Sequence, residues 1–570
     1  MIRRPVRVAS TCVLLAACGG GERAPADATS PPRRAVVATA DSAMVVTAAP
    51  LATDVGVAVL RSGGNAIDAA VAVSFALAVV YPTAGNLGGG GFIVARMGQE
   101  SAALDFREVA PLRATRDMYL DSTGQVTDRS LIGALAVGVP GSVAGLWEAH
   151  AKYGSRPWRD LVQPAIDLAE RGFITDSAFV SDLPGDSAKL ARFPASAALY
   201  VPDGKLVPLG VTWRNRELAT TLRRIAEHGR DGFYAGPTAD LIVAEMRRSS
   251  GVIGREDLTR YRALWRKPVE FTYRGHRVIS MPPVSSGGLT IALMANILGG
   301  IDLRAMGWHS PQAIHTVAEV ERMAYARRNT LLADPAFWSI NEPAFLSPDT
   351  AAALRAAIGP RASESTPPVA AVNAGRHTTH FSIVDAHGNA VSMTTTLNEG
   401  YGSGVTVTGA GFLLNNEMDD FTTKVGAVNA MGLRQWEANA IAPGKRMLSS
   451  MTPTIVLDST GAPFLVTGAA GGAHIITGVA QVISNVLDFG MPLGEAMAAP
   501  RFHAQDFPDS IWVEADGLPE STLRALSAMG HHPAIMKRGD GLAWVQSIAR
   551  AGGRWQGVSE PRGHGRAAGY

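Results

Sequence analysis

Apolar positions recur with two different periods along the 570-residue chain, and the switch between them predicts which stretches are helices and which are strands. From Val45 onward the pattern is that of a globular body. Thr53 to Arg61 reads as a short helix halted at Gly63-Gly64, and Asn65 caps a second, almost wholly apolar helix that runs towards Val80 until Pro82 ends it. Phe92 to Met97 and Ser101 to Phe106 read as paired strands around a Gly98 turn, which leaves Arg107 at a strand end. Helical spacing follows at Ser142 to Tyr153, Glu217 to Glu227, Leu289 to Leu298 and Pro311 to Arg328. The run Gly85-Asn86-Leu87-Gly88-Gly89-Gly90-Gly91 lacks the Lys-Ser/Thr ending of a phosphate loop and the spacing of a dinucleotide fingerprint. It predicts close backbone packing instead.

The pattern breaks between Gly359 and His377, where Ser363, Ser365, Pro367, Pro368 and several alanines predict an exposed, mobile segment. Order then resumes abruptly. Thr378-Thr379-His380-Phe381-Ser382-Ile383-Val384-Asp385 is β-rich, Ala386-His387-Gly388-Asn389 is a turn, and Ala390 to Thr396 is a second strand. A hairpin closing on Asp385 and Ala390 places Thr378 opposite Leu397, beside Thr396 and near Asn398. Further on, an apolar strand at Phe464 to Val466 leads through Gly471-Gly472 to a helix starting near His474.

Composition narrows the function classes. The 52 Lys+Arg and 50 Asp+Glu nearly cancel, with no long block of one sign, so no nucleic-acid partner is expected. The 61 glycines and 34 prolines suit strands and loops better than a helical bundle. At the start, Arg3, Arg4 and Arg7 precede an apolar stretch from Val8 to Ala17 that is too short to span a bilayer, as in an export signal. Leu15-Ala16-Ala17-Cys18 resembles the lipobox of bacterial lipoproteins, with Cys18 as the acylated mature N-terminus; ordinary cleavage after Ala24-Pro25-Ala26 is the alternative. Cys12 and Cys18 are the two cysteines of the chain, so the mature protein is expected to have no disulfide. The expected organisation is a signal peptide at 1–17, a flexible tether at 18–44, and two parts of one fold at 45–377 and 378–570.

Five motifs occur in order: Asp105-Phe106-Arg107-Glu108, Thr378-Thr379-His380-Phe381-Ser382, Leu413-Leu414-Asn415-Asn416-Glu417-Met418-Asp419-Asp420-Phe421, Ser449-Ser450-Met451 and Gly471-Gly472. Together they resemble the signature of the γ-glutamyltranspeptidases, which are N-terminal-nucleophile hydrolases. The resemblance implies an α+β fold, a four-layer αββα sandwich. It also implies a precursor cut between His377 and Thr378 into large and small fragments that stay associated. Thr378 would be the nucleophile, activated by its own freed α-amino group and held by Thr396, with backbone N–H groups of Gly471 and Gly472 stabilising the oxyanion. Recognising a γ-glutamyl group requires a clamp for its α-carboxylate, met by Arg107, Ser449 and Ser450, and one for its α-ammonium, met by Asn398, Glu417 and Asp420.

Implied substrates are glutathione and other γ-glutamyl compounds, with water, amino acids or peptides as acceptors and no cofactor. Asp419 reads as structural or is left unassigned. Between Asp420 and Ser449 lies a segment similar to the family's lid, with Met431 where many members place a tyrosine and Trp436 or apolar contacts available for closure. His315 and Glu319 have metal-pair spacing on a helix, but without a third ligand they read as a helix face, and no metal is expected. Two other readings are a cephalosporin acylase or poly-γ-glutamate-processing enzyme of the same fold, and a non-catalytic, lipid-anchored binding protein. The expected location is outside the cytoplasm, as a periplasmic or surface lipoprotein, on the outer membrane where the host has one.

Overall fold

The computed structural model describes residues 34–363, 377–434 and 436–570, which places Cys18, the export signal and most of the expected tether outside the described residues. The folded body reaches further back than Val45: Val37–Ala40 is already a strand.

Two antiparallel sheets form the centre. In the first, the order is Arg566–Gly569, Met44–Thr47, Thr378–Val384, Ala390–Thr396, Gly90–Met97, Glu100–Asp105 and Leu264–Arg266. The second runs Val37–Ala40, Arg554–Ser559, Trp544–Ala551, Pro463–Thr467, Thr454–Leu457, His276–Ser280 and Val269–Tyr273. Strand alternation decides what each face meets. Ile93, Ala95, Ile383, Val391 and Met393 point to an outer core with the helices Ala66–Val80 and Trp158–Arg171. Phe92, Val94, Val384 and Ala390 turn inward to the second sheet, whose far side is covered by Gly287–Leu298, Pro311–Leu331 and His474–Leu487. The layers are therefore helix, sheet, sheet, helix, as expected from the motifs. Hydroxyls tie the sheets together: Ser382 Oγ donates to the Gln546 carbonyl at 2.9 Å and Ser392 Oγ to that of Thr467 at 2.9 Å.

The helix Ala66–Val80 is buried along its whole length, so its ends carry the polar work. Asn65 accepts from the amides of Ile67 and Asp68, while Asp68 accepts from the Asn65 amide at 2.9 Å, a reciprocal capping box. The glycine run does serve close packing. A Cβ on Gly89 would lie 2.0 Å from the Thr396 carbonyl oxygen, and one on Gly88 2.1 Å from that of Leu413. These two glycines bring both functional segments against one strand end.

The hairpin register departs from the expected one by one residue. Thr378 pairs with Thr396, not Leu397, and Val384 with Ala390. Asp385 belongs to the loop: its Oδ1 accepts from the amides of His387 and Asn389, and Gly388 takes φ +78°. The connection between the last paired residues is therefore the five residues 385–389, one longer than the four-residue turn read from the sequence.

Candidate active site

Thr378 is the first residue of its strand, on the face that looks towards the second sheet with His380 and Ser382. Its Oγ1 lies 3.1 Å from Oγ1 of its cross-strand partner Thr396. Thr396 Oγ1 also accepts from the Asn398 amide at 2.8 Å and is 3.3 Å from the His377 carbonyl oxygen, to which it can donate. One hydroxyl thus bridges Thr378 and the carbonyl that precedes it. Asn398 holds a left-handed φ of +79°, and its side-chain NH₂ donates to the Asn416 carbonyl at 3.0 Å.

A single pocket is lined by Thr378, Thr396, Arg107, Asn398, Glu417, Asp420, Ser449, Ser450 and Gly472, among others. Nine of the ten expected catalytic and binding residues are therefore together. The tenth, Gly471, is the adjoining residue, and it packs on the Ala543 backbone. Both glycines have positive φ, +131° and +57°, at the turn into the helix His474–Leu487.

Arg107 is anchored by Nε to the Met447 carbonyl at 3.3 Å, and its backbone carbonyl accepts from the Tyr261 hydroxyl at 2.9 Å. Its two terminal nitrogens grip Glu417 and Asp420, and Glu108 Oε2 lies 3.6 Å away. Burial opposes charge on Arg107, yet Glu417, Asp420 and Glu108 outweigh it and raise its pKa. The acids feel the converse: burial raises Glu108 to about 8 and Glu417 well above the usual carboxylate range, with Arg107 pulling both back. Asp420 is also raised by burial against the pull of Arg107, although its side chain keeps 16% exposure at the rim.

Ser449 Oγ accepts from the Met451 amide at 3.1 Å, and Ser450 Oγ accepts from Arg328 at 3.0 Å. Each hydroxyl then has its own proton to give. Arg328 was not singled out in the sequence. It is buried, bonds Ser286 Oγ at 3.0 Å, and sets the orientation of Ser450. The spacing of Ile314, Ala318, Glu321, Tyr325 and Arg328, all buried, marks one inward helical stripe that carried the signal.

Asp419 accepts from Ser130 Oγ at 2.8 Å and from the Ala430 amide at 3.1 Å. The latter bond ties it to the segment over the pocket. There Asn429 Oδ1 accepts from the amides of Met431 and Leu433, and these two apolar side chains line the pocket. Trp436, offered as a closing residue, is 36% exposed and does not line it.

A four-layer αββα body with a threonine opening a central strand is the architecture of the N-terminal-nucleophile hydrolases. The family defined as gamma-glutamyltranspeptidase matches residues 52–570, and the chain belongs to that family of enzymes. It is 45% identical to the glutathione hydrolase proenzyme of Pseudomonas sp. (strain A14), over 93% of this chain and 95% of that one. With the glutathione hydrolase proenzyme of Escherichia coli (strain K12) it shares 43% identity, covering 92% of this chain and 91% of that one. Among solved structures, a cephalosporin acylase from Bacillus halodurans superposes with a TM-score of 0.84 at 28% identity, covering 96% of this chain and 99% of that chain.

Proposed function

We propose that the chain cleaves itself between His377 and Thr378 and then transfers γ-glutamyl groups from glutathione and related amides to water or to amines. The observation that carries this reading is the Thr378–Thr396 hydroxyl pair at 3.1 Å in one pocket with Arg107, Glu417 and Asp420. In self-cleavage, Thr378 Oγ1 attacks the His377 carbonyl carbon while Thr396 donates to its oxygen. The C–N bond breaks, the nitrogen takes up a proton, and water hydrolyses the resulting ester to give a His377 carboxylate and a free Thr378. The new α-amino group, with a pKa of about 7.7–8.0 in model peptides, is a base poised near neutrality.

In turnover that amine takes the Thr378 hydroxyl proton as Oγ1 attacks the γ-carbonyl of the donor. Backbone N–H groups of Gly471 and Gly472 hold the developing oxyanion, a role whose loss typically costs roughly a hundredfold to a thousandfold. The leaving amine receives the proton, and a γ-glutamyl ester remains on Thr378 until water or an acceptor amine displaces it. Arg107 binds the α-carboxylate with hydroxyl protons from Ser449 and Ser450. Glu417, Asp420 and the carboxamide oxygen of Asn398 bind the α-ammonium. The chain up to His377 and residues 378–570 become the two fragments of one body.

Thr378→Ala should give a folded, uncut chain without turnover, whereas the wild type should show two fragments on a denaturing gel and release aniline from a γ-glutamyl anilide. Adding a dipeptide acceptor separates transfer from hydrolysis. Efficient self-cleavage of Thr378→Ala would sink the mechanism. The likeness to a cephalosporin acylase supports a second reading, and equal turnover of glutaryl and γ-glutamyl amides would favour it.

For location, the reading is an exported lipoprotein held by acyl chains on Cys18 and facing the periplasm or cell exterior. Its support is the Arg3-Arg4 and Leu15-Ala16-Ala17-Cys18 pattern. Among the described residues no helix is long and apolar enough to cross a membrane. Cys18→Ser should move the protein into the soluble exported fraction or stall signal removal, with Thr378 chemistry intact. Mass spectrometry finding an unmodified N-terminus beyond Cys18 would rule out the anchor.

A further inference from the structure

Outside the active site, the helix Pro311–Leu331 presents His315 and Glu319 one turn apart, and the fold brings His531 to them from 216 residues away. All three are buried, and one ligand atom of each lies within 4.8 Å of the other two. This is the third ligand that the linear sequence did not offer. We propose that His315, Glu319 and His531 form a binding site for a divalent transition-metal ion, zinc by preference.

The donor set of two imidazoles and one carboxylate suits zinc, which takes such ligands at ~2.0–2.2 Å. What surrounds the donors supports a ligand role over a plain hydrogen-bonded cluster. His315 Nε2 donates to the Gly359 carbonyl at 2.8 Å, which fixes its tautomer and makes Nδ1 an acceptor facing His531 Nε2 at 2.7 Å. A backbone carbonyl on the far nitrogen is the usual outer partner of a metal-bound histidine. Glu319 divides its oxygens in the same way. Oε2 takes Arg322 at 2.9 Å and the Ser363 hydroxyl, whereas among the described residues Oε1 accepts a 3.3 Å contact from the Ser363 amide. Oε1 is therefore the oxygen with capacity for a cation. On metal entry the His531 proton moves from Nε2 to Nδ1, and the imidazoles part from 2.7 Å to the ~3.3 Å that two zinc ligands keep in a tetrahedron.

The position gives the site a purpose. Gly359 and Ser363 belong to the last described stretch before the proposed cleavage point, and Ala362 N donates to the Met529 carbonyl at 2.8 Å. If the chain is cut at His377, two ligands come from the large fragment and one from the small. The ion would then staple the end of the large fragment to its partner; this last clause rests on the cleavage reading, while metal binding does not.

The test uses the full processed protein, stripped with a chelator and titrated with Co²⁺ as a coloured stand-in for Zn²⁺. One Co²⁺ per chain should give a visible ligand-field band that Zn²⁺ abolishes, and Zn²⁺ should raise Tm. His531→Gln and Glu319→Gln should each lose affinity by more than the ~10–100-fold that an outer partner contributes. Both should keep γ-glutamyl turnover, which reports that they fold. Uncut Thr378→Ala should bind Co²⁺ as the wild type does, so a failed cleavage reading leaves the metal result standing. No stoichiometric uptake by wild type, or undiminished uptake by folded His531→Gln, would reduce the trio to a hydrogen-bonded cluster.

Discussion

Two of the buried ionic clusters among the described residues are built to opposite ends. One joins Arg501 and Arg562 to Glu514 and Glu560. Arg562 Nε and Arg501 Nη1 meet Glu514 and Glu560 at 2.7 and 3.0 Å, and the same arginines cap the Met497, Ala499 and Ala543 carbonyls. Two cations balance two anions. Burial works against ionising Glu560, but Arg501 and Arg562 overcome it and lower its pKa.

The other cluster, in the pocket, sets Arg107 against Glu108, Glu417 and Asp420. Here the acids outnumber the cation, and burial pushes them up. Balanced charge needs nothing further, whereas a shortage of positive charge beside an exchangeable guanidinium fits a zwitterionic ligand. On the proposed function, its ammonium would replace Arg107 on the acids while its carboxylate would take the guanidinium.

The largest effect expected from this contrast is on stability. Arg562→Ala strands two buried carboxylates and should cost about 3–5 kcal/mol in urea unfolding. The specific activity of the molecules that remain folded should be unchanged. Arg107→Ala should do the reverse, because its acids are already inclined to protonate. It should still be cut at Thr378, unfold near the wild-type midpoint, and lose roughly a hundredfold to a thousandfold in kcat/KM, or ~3–4 kcal/mol, on a γ-glutamyl anilide. A substrate lacking the α-carboxylate should show a far smaller loss. Should Arg107→Ala unfold as readily as Arg562→Ala, the pocket cluster is structural and the contrast collapses.

A lone buried acid sharpens the comparison. Glu321 has no cation among its bonded partners, Gln481 and Ala504, and burial raises it from 4.5 to about 8. Folded protein then keeps a proton that the unfolded chain has released, so this contribution to stability is complete below 4.5 and fades as pH rises through about 8. Glu321→Gln should match the wild type near pH 5 and exceed it by roughly 1–3 kcal/mol near pH 9, read from urea midpoints. Smallest of all, Trp436→Ala should change stability by less than ~0.5 kcal/mol and leave KM alone, since the side chain lies on the surface away from the pocket. A large rise in KM would return it to the lid.

Legibility in the sequence followed the range of the forces involved. The helix Ser142–Tyr153 falls at its expected bounds because periodicity and a glycine stop are local signals. Thr378 and Thr396 were also legible, lying on two adjoining strands with an evident turn. Their register was off by one because the Asp385 side chain organises the loop, a choice that hydrophobic pattern does not encode. Arg328 is hard to read in the sequence because a single arginine near a helix end looks solvated; only the stripe through Glu321 and Tyr325 shows it facing inward. Nothing in the sequence announces His531 as a neighbour of His315, because their meeting depends on tertiary packing across the whole second half of the chain.

Each sheet draws strands from both sides of the His377–Thr378 bond. Thr378–Val384 and Ala390–Thr396 sit between Met44–Thr47 and Gly90–Met97, and the second sheet mixes Thr454–Leu457 with His276–Ser280 in the same manner. Cutting the chain therefore does not create two bodies that can part. Dilution should not separate the fragments, and their association has no dissociation constant distinct from the unfolding equilibrium. Peptides made separately would have to fold through one another to form the same two sheets.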